Sequence, residues 1–519
     1  MKLASLDIGS NSIHMIVVET DGERSFEVID RAKEMVLLGR SVFEHARLSD
    51  DAFRAGISAV SKLVKLAERH GVERTRAVAT SAIREAANGV EFLHALTEAV
   101  GLEAEVISGR EEARYIYLAV RSALDLATRP ALIIDCGGGS VELIVGDARE
   151  ERLAASLELG VQRLRARFGP GPLEKKARKE LEALVRRLAG PVLEAARSAG
   201  FDLVVGTSGT ILALGQAAQR LRGGAPSPTL TGQTLGLDEL RDLADRLAPL
   251  TPAERVSALG LDALRADTLH LGAVLIERLL ALSGKQRLVL SSAALREGVI
   301  SDMLGGARDE RSSAELGRDV RRQSVLELMR RAGQTGPHPE QVAKLALSLF
   351  DQTRELHRLG SRERMLLEYA ALLHDVGQLI GYERHEHHAA YIIRNSELRG
   401  FSELERELMA ELARYHRKAR PKRRDADFMA LSPRVRRVVR VLAGLLRVAD
   451  GLDRGHHQIV RSVRVERAGR ALLVVAQATA DSELELWGAR CKDKLLARAL
   501  GVEIRLEVEP VASVTLETS

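Results

Sequence analysis

The chain has 519 residues, 45% hydrophobic and 29% charged, a composition that excludes disorder and a length that calls for several cores. Aromatic residues make up 3%, which argues against a nucleic-acid binder that stacks bases, and no run of about 18 uncharged apolar residues offers a membrane span. The formal net charge of +5 suits a polyanionic ligand or a solvated Arg-rich surface equally well.

With only Cys136 and Cys491, no disulfide framework is expected, and Cys136 reads as a small buried filler. No apolar leader precedes Asp7, so a reduced, cytoplasmic protein is expected.

Leu3–Leu6 and Ile13–Val18 read as strands joined by Asp7-Ile8-Gly9-Ser10-Asn11-Ser12, a hairpin with Asp7 at its bend. Leu48–His70 is helical, with Ser49 as N-cap before Asp50 and Asp51. A strand at Arg76–Ala79 runs into Thr80-Ser81-Ala82-Ile83-Arg84, a place from which Arg84 could clamp a phosphate. Glu103–Ile107 is a further strand. It leads into Ser108-Gly109-Arg110-Glu111-Glu112, a helix start whose acids, read alone, compensate the helix dipole.

The apolar runs Ala131–Ile134 and Val141–Val145 flank Asp135-Cys136-Gly137-Gly138-Gly139-Ser140. Three glycines let backbone N–H groups converge on an anion, and a carboxylate beside them suits a divalent cation. Asp, Gly and Ser stand here at the same offsets as in the Asp7 hairpin, which predicts duplicated lobes around one cleft. Glu142 follows on the outgoing strand. A helix over Glu174–Ala199 comes next, then a strand ending in Gly206-Thr207-Ser208-Gly209-Thr210 before a helix from Ile211. After a loop at Leu221–Thr234, the strand Arg287–Leu290 leads through Ser291 and Ser292 into Ala294-Leu295-Arg296-Glu297-Gly298.

Taken together, these segments resemble the exopolyphosphatase / guanosine pentaphosphate phosphohydrolase (Ppx/GppA) family, itself similar to the actin/Hsp70/sugar-kinase superfamily. Six motifs carry the resemblance: Asp7–Ser12, Ala79–Ala86, Ser108–Arg114, Asp135–Glu142, Gly206–Thr210 and Ala294–Gly298. The segment Val36–Ser41 lacks the Arg-x-Gly-Glu-Gly pattern of the family.

The resemblance implies an α/β two-lobed ribonuclease-H-like core that hydrolyses terminal phosphoanhydride bonds. It implies Glu112 as general base; beside it, Glu142 reads as a helper that binds metal or shares the water, Arg84 as the charge-neutralising side chain, and Asp135 with Asp7 as ligands of Mg²⁺ or Mn²⁺. Phosphates would lie on Gly9, Ser10, Asn11 and Ser12, on Gly137, Gly138, Gly139 and Ser140, and on Ser208, Gly209 and Thr210. The expected substrate is inorganic polyphosphate. The alternatives are pppGpp, or a ppGpp-sensing protein with little turnover. A homodimer is a family expectation; no membrane or nucleic-acid partner is expected.

Beyond a charged boundary at 308–313 the chain turns helical and histidine-rich: nine of its 14 histidines lie between His338 and His457. Gln341–Leu359, Glu363–Leu373 and Leu404–Arg417 show helical spacing of apolar residues. The pattern His338, His374-Asp375, His388, His416, Asp450 resembles an HD-domain metal site, whose donors suit a transition metal. His385, His387, His357 and His456 read as exposed in preference to extra ligands.

Arg417, Lys418, Arg420, Lys422, Arg423 and Arg424 form a basic run that would serve as a polyanion track. The tail alternates strand-like runs, including Glu483–Leu486, around a helix at Lys492–Leu500. The expected domains are therefore the two lobes, 1–122 and 123–308, an all-α HD-like domain, 309–456, and a small α+β C-terminal domain, 457–519.

Overall fold

The computed structural model describes residues 1–20, 26–126, 129–223, 229–260, 263–305, 313–469 and 471–510. The chain forms two compact units, Met1–Arg321 and Arg322–Ser519. The charged boundary read at 308–313 lies, up to residue 312, outside the described residues, as does the middle of the loop read at 221–234.

The first unit holds two sheets. Strands β1 (Lys2–Ile8), β2 (Ser12–Glu19), β3 (Glu27–Met35), β4 (Arg74–Ala79) and β5 (Ala104–Val106) form one, in the order β3-β2-β1-β4-β5. Strands β6 (Ala131–Cys136), β7 (Val141–Gly146), β8 (Glu151–Leu157), β9 (Leu203–Thr207), β10 (Thr234–Gly236) and β11 (Arg287–Leu290) form the other, in the order β10-β11-β9-β6-β7-β8.

Leaving aside the edge strand β10, the two sheets share one plan. Three antiparallel strands come first, and the first of them pairs in parallel with the fourth, β1 with β4 and β6 with β9. The repeated Asp-x-Gly hairpins are thus equivalent corners of two α/β lobes.

Burial explains the strand sequences. Every residue of β6 and β7 is buried, which accounts for their continuous apolar runs. Leu132, Ile134, Leu143 and Val145 pack in a core with Leu181, Leu193 and Leu271, whereas Ile133 and Ile144 pack with Ile116 and Leu118 of the helix Gly109–Ala123. The helix Leu295–Met303 crosses that helix so closely that a Cβ on Gly298 would run into the Tyr115 carbonyl.

In the second unit the helices His338–Gln352, Ser361–Leu373, His385–Asn395, Glu403–Arg414 and Pro433–Gly451 share a core that includes Leu349, Leu367, Met409 and Leu445. Strand β12 (Val460–Ala468) pairs antiparallel with β13 (Ala471–Ala478), and β13 pairs parallel with β14 (Glu503–Pro510).

Two expectations need correcting here. Glu483–Leu486 is not a strand but the first turn of the helix Glu483–Lys492, because Leu486 and Ala489 repeat at helical spacing and bury against the helix ending at Gly451. The helix expected over Gln341–Leu359 stops at Gln352; Thr353 separates it from a short turn, Arg354–His357. Among the described residues no helix is long and apolar enough to cross a membrane.

Candidate active site

The two Asp-x-Gly hairpins close in the same way. Gly9 N–H donates to the Ser12 carbonyl at 3.2 Å and Gly137 N–H to that of Ser140 at 3.0 Å, which sets Asp7 and Asp135 at the ends of β1 and β6. The two turns mesh with each other. A Cβ on Gly138 would press on Ser10 and Asn11, and one on Gly139 would overlap Ser81 and Phe43. These two glycines therefore serve close approach of the lobes as well as backbone exposure. The carbonyls of Gly137, Gly138 and Gly139 accept from the N–H groups of Val161 (3.1 Å), Gln162 (2.8 Å) and Gly160 (3.2 Å), at the start of the helix Val161–Phe168.

Between the turns lies a cavity of about 350 Å³. Asp7, Gly9, Ser10, Asn11, Ser12, Glu112, Asp135, Gly137, Gly138, Gly139, Ser140, Ser208, Gly209 and Thr210 all line it. Ser208 sits in the left-handed region (φ 78°), an uncommon conformation for a residue with a Cβ, and donates from Oγ to the Cys136 carbonyl at 2.6 Å. Strand β9 is thereby tied to the glycine turn. Cys136 is buried, as a filler would be.

Glu111 and Glu112 divide two tasks at one helix terminus. Ser108 and Glu111 form a reciprocal capping box: Ser108 Oγ accepts from Glu111 N–H at 3.2 Å, and Glu111 accepts from Ser108 N–H at 2.7 Å. Glu112, one position on, is left to point inward, and its Oε2 is buried without a hydrogen-bond partner.

Glu142 and Arg84 do not line the cavity. Glu142 is fully buried on β7 opposite Asp135 and accepts from Ser156 Oγ at 2.8 Å. Arg84 donates to the Ile107 carbonyl at 2.6 Å and stands 3.6 Å from Glu112 Oε2, so it faces the acid and does not reach into the cavity.

Burial pushes the carboxyl of Asp7 up to about 7, that of Asp135 up to about 6 and that of Glu142 up to about 8. Glu112 is raised well above its ordinary value, first by burial and then by the charge of Glu142. Asp7 Oδ1, Asp135 Oδ1, Glu112 Oε2 and Glu142 Oε2 are all buried with no hydrogen-bond partner. Orphaned carboxylate oxygens that cannot all ionise together fit a hard divalent cation.

The cavity also carries cationic side chains that went unassigned in the sequence. Lys33 of β3, Arg265 and Arg296 line the cavity, and Arg265 donates to the Gly209 carbonyl at 2.9 Å. His14, paired with Asp7 across the hairpin, is pushed down to about 3 by burial and by Arg296, and so stays neutral. Arg296 lies inside the Ala294–Gly298 motif, which marked its position but not its role.

The second unit gathers a separate histidine–aspartate group. His338, His374 and Asp450 bring donor atoms within reach of one ion, as do Asp375, His385 and His416. His388 is half-buried and belongs to neither trio; its place is taken by His385, which is 3% exposed because it begins the helix His385–Asn395 on the inner face. His357 is likewise buried, donating from Nε2 to the Phe350 carbonyl at 2.9 Å, and His387 is half-buried, whereas His456 is exposed and stacks on His338. In the basic run, Lys418, Lys422, Arg423 and Arg424 are exposed, and Arg417 and Arg420 half-buried.

The sequence matches the Ppx/GppA phosphatase family over residues 15–307 and Ppx/GppA phosphatase domain III over residues 320–486. The chain belongs to the Ppx/GppA phosphatase family. Members of this family are phosphoanhydride hydrolases that depend on divalent metal, with polyphosphate and pppGpp as their substrates.

Among its Ppx/GppA relatives, the guanosine-5'-triphosphate,3'-diphosphate pyrophosphatase of Aeromonas hydrophila is 32% identical over 412 residues, 79% of each chain. An exopolyphosphatase from Cytophaga hutchinsonii is 27% identical with a TM-score of 0.56, covering 59% of this chain and 99% of that one. The Aquifex aeolicus family member is 29% identical with a TM-score of 0.51, covering 60% and 99%.

Proposed function

We propose that the cleft of the first unit removes the terminal phosphoryl group of inorganic polyphosphate and releases orthophosphate. One observation carries this reading. The cavity brings buried acids together with Lys33, Arg265 and Arg296, and among the described residues its lining has no aromatic ring apart from the His14 imidazole. Such a lining grips phosphates and gives a purine nothing to stack on.

In this reading the N–H groups of the two hairpin turns and of Ser208–Gly209 hold the terminal phosphate. Glu112 accepts the proton of the attacking water, positioned by Arg84 at 3.6 Å. Lys33 and Arg296 balance the charge of the shortened polyphosphate as it leaves. Asp7 and Asp135 are the residues that would hold a divalent cation, Mg²⁺ or Mn²⁺, which when bound neutralises charge on the transferred phosphoryl. Glu142 stands behind Asp135 and keeps that corner acidic.

A second reading, hydrolysis of pppGpp at the same cleft, is supported by the Aeromonas relative at 32% identity. Orthophosphate release from long polyphosphate, tripolyphosphate and pppGpp, compared side by side, decides between them. The expected result is the highest kcat/KM on long polyphosphate. Preference for pppGpp would install the second reading, and no release from any of the three would leave a ppGpp-sensing protein with little turnover.

A further inference from the structure

We infer that the helical unit, Arg322–Ser519, holds a two-ion transition-metal centre built from His338, His374 and Asp450 on one side and Asp375, His385 and His416 on the other. The inference is independent of the reading of the cleft. It rests first on how the four imidazoles are held. His374 donates from Nδ1 to the Ala371 carbonyl at 2.7 Å, His385 to that of Tyr382 at 2.9 Å and His416 to that of Ala413 at 2.6 Å; His338 Nδ1 bonds the Asp453 carboxylate at 2.8 Å. In a neutral imidazole a donating Nδ1 leaves Nε2 as a bare acceptor. His338, His374 and His416 are therefore fixed in the tautomer that a metal ligand needs, by the outer partners that usually orient such ligands, while His385 Nδ1 meets both the Tyr382 carbonyl and, at 3.1 Å, the Arg417 guanidinium.

The second observation is what those Nε2 atoms face. His338 Nε2 and His374 Nε2 are buried and have no hydrogen-bond partner. His385 Nε2 and His416 Nε2 point at each other at 3.2 Å, two lone pairs face to face. Asp375 Oδ1 lies 3.0 Å from His385 Nε2 and 3.6 Å from both His416 Nε2 and His374 Nε2. Donors on one ion with bonds of about 2.0–2.1 Å stand about 3–3.4 Å apart, a spacing that the His385–His416 and His385–Asp375 pairs meet and the others approach to within about 0.5 Å.

On the other side, Asp450 Oδ1 lies 3.9 Å from His338 Nε2, while its Oδ2 accepts from Lys492. The rim carries Arg417, whose guanidinium comes within 3.4 Å of His385 Nε2. The pockets differ in make-up but share a wall, since His374 and Asp375 are adjacent in the chain. Imidazole and carboxylate donors of this kind suit Mn²⁺, Fe²⁺, Co²⁺ or Zn²⁺.

The test measures bound Co²⁺ in the full chain carrying Asp7→Asn and Asp135→Asn, which removes the proposed cation ligands of the cleft. About two Co²⁺ per chain are expected after dialysis, with the visible absorption of imidazole-ligated Co²⁺. His385→Ala with His416→Ala, and separately His338→Ala with His374→Ala, should each remove about one ion from a chain whose circular dichroism is unchanged. His388→Ala should remove none.

No bound Co²⁺ in the parent, a single ion only, full retention in the paired variants, or a loss with His388→Ala would each overturn the assignment. If the paired variants fail to fold, the parent's stoichiometry and absorption still decide, because both are read on folded protein.

Discussion

At the scale of single residues, the neighbours Glu111 and Glu112 show how one helix turn separates stability from chemistry. Glu111 is spent on the Ser108 cap, so Glu111→Ala should lower stability by about 0.5–2 kcal/mol in a denaturant titration. Glu112→Gln keeps the shape and removes the proton acceptor. It should lower orthophosphate release by about 10²–10⁴-fold with polyphosphate binding nearly unchanged, and surviving turnover would remove Glu112 from the role we propose.

The acid pair was visible in the sequence, as was the reason for doubting it; in the structure Glu111 takes the cap and Glu112 turns inward, where we propose its role as base. Arg296 was harder to place, because an Arg at a helix start looks the same whether it faces water or a cavity. The choice between His385 and His388 is a matter of helix phase. Residues three apart occupy nearly the same face, and only the way Arg384 enters the helix, with φ 57°, decides which ring turns inward.

Among the elements, the twin hairpins were the most legible, since Asp, Gly and Ser at matched offsets leave little freedom in how a strand turns. β3 and β8 were not read as strands. β3 carries Glu27, Asp30, Arg31, Lys33 and Glu34, and such a charged edge strand shows no apolar alternation, although Lys33 from it reaches the cleft. Glu483–Leu486 failed for the converse reason: over four residues, alternation fits a strand, and only Ala489 reveals the helical period.

The basic run is anchored at its root, where Arg447 donates to the carbonyls of Tyr415 and Ala419 at 3.0 Å each. We propose it as a polyanion track. Neutralising Arg420, Lys422, Arg423 and Arg424 together should weaken binding of long polyphosphate about tenfold or more while sparing tripolyphosphate, as measured by salt-dependent binding titrations. Equal effects on both lengths would reduce the run to a solvated loop.

For the whole molecule, the family and the two-lobed core followed from six ordered motifs, whereas the placement of boundaries did not. We propose that the compact units subdivide into the four parts 1–122, 123–308, 309–456 and 457–519, with an HD-like character for the third. The buried acids also give the first unit a pH dependence. Asp7, Asp135 and Glu142 titrate at about 7, 6 and 8 when folded, above the values near 4 expected in the unfolded chain.

The folded state therefore binds more protons across that interval, and stability falls as pH rises through it. In chelator the melting temperature should drop between pH 5 and pH 8.5. Saturating Mg²⁺ should flatten the slope by giving the ionised acids a counter-charge. A melting temperature that rises over the same range in chelator would contradict the burial of these groups.

The meshed turns have a mechanical consequence. Gly138 and Gly139 lie against Ser10, Asn11, Ser81 and Phe43 with no room for a methyl group. The floor of the cleft is therefore a bearing with almost no clearance, bare glycine main chain on one lobe set against the side chains of Ser10, Asn11, Ser81 and Phe43 on the other. A contact this tight favours rotation of the lobes about the floor over separation at it.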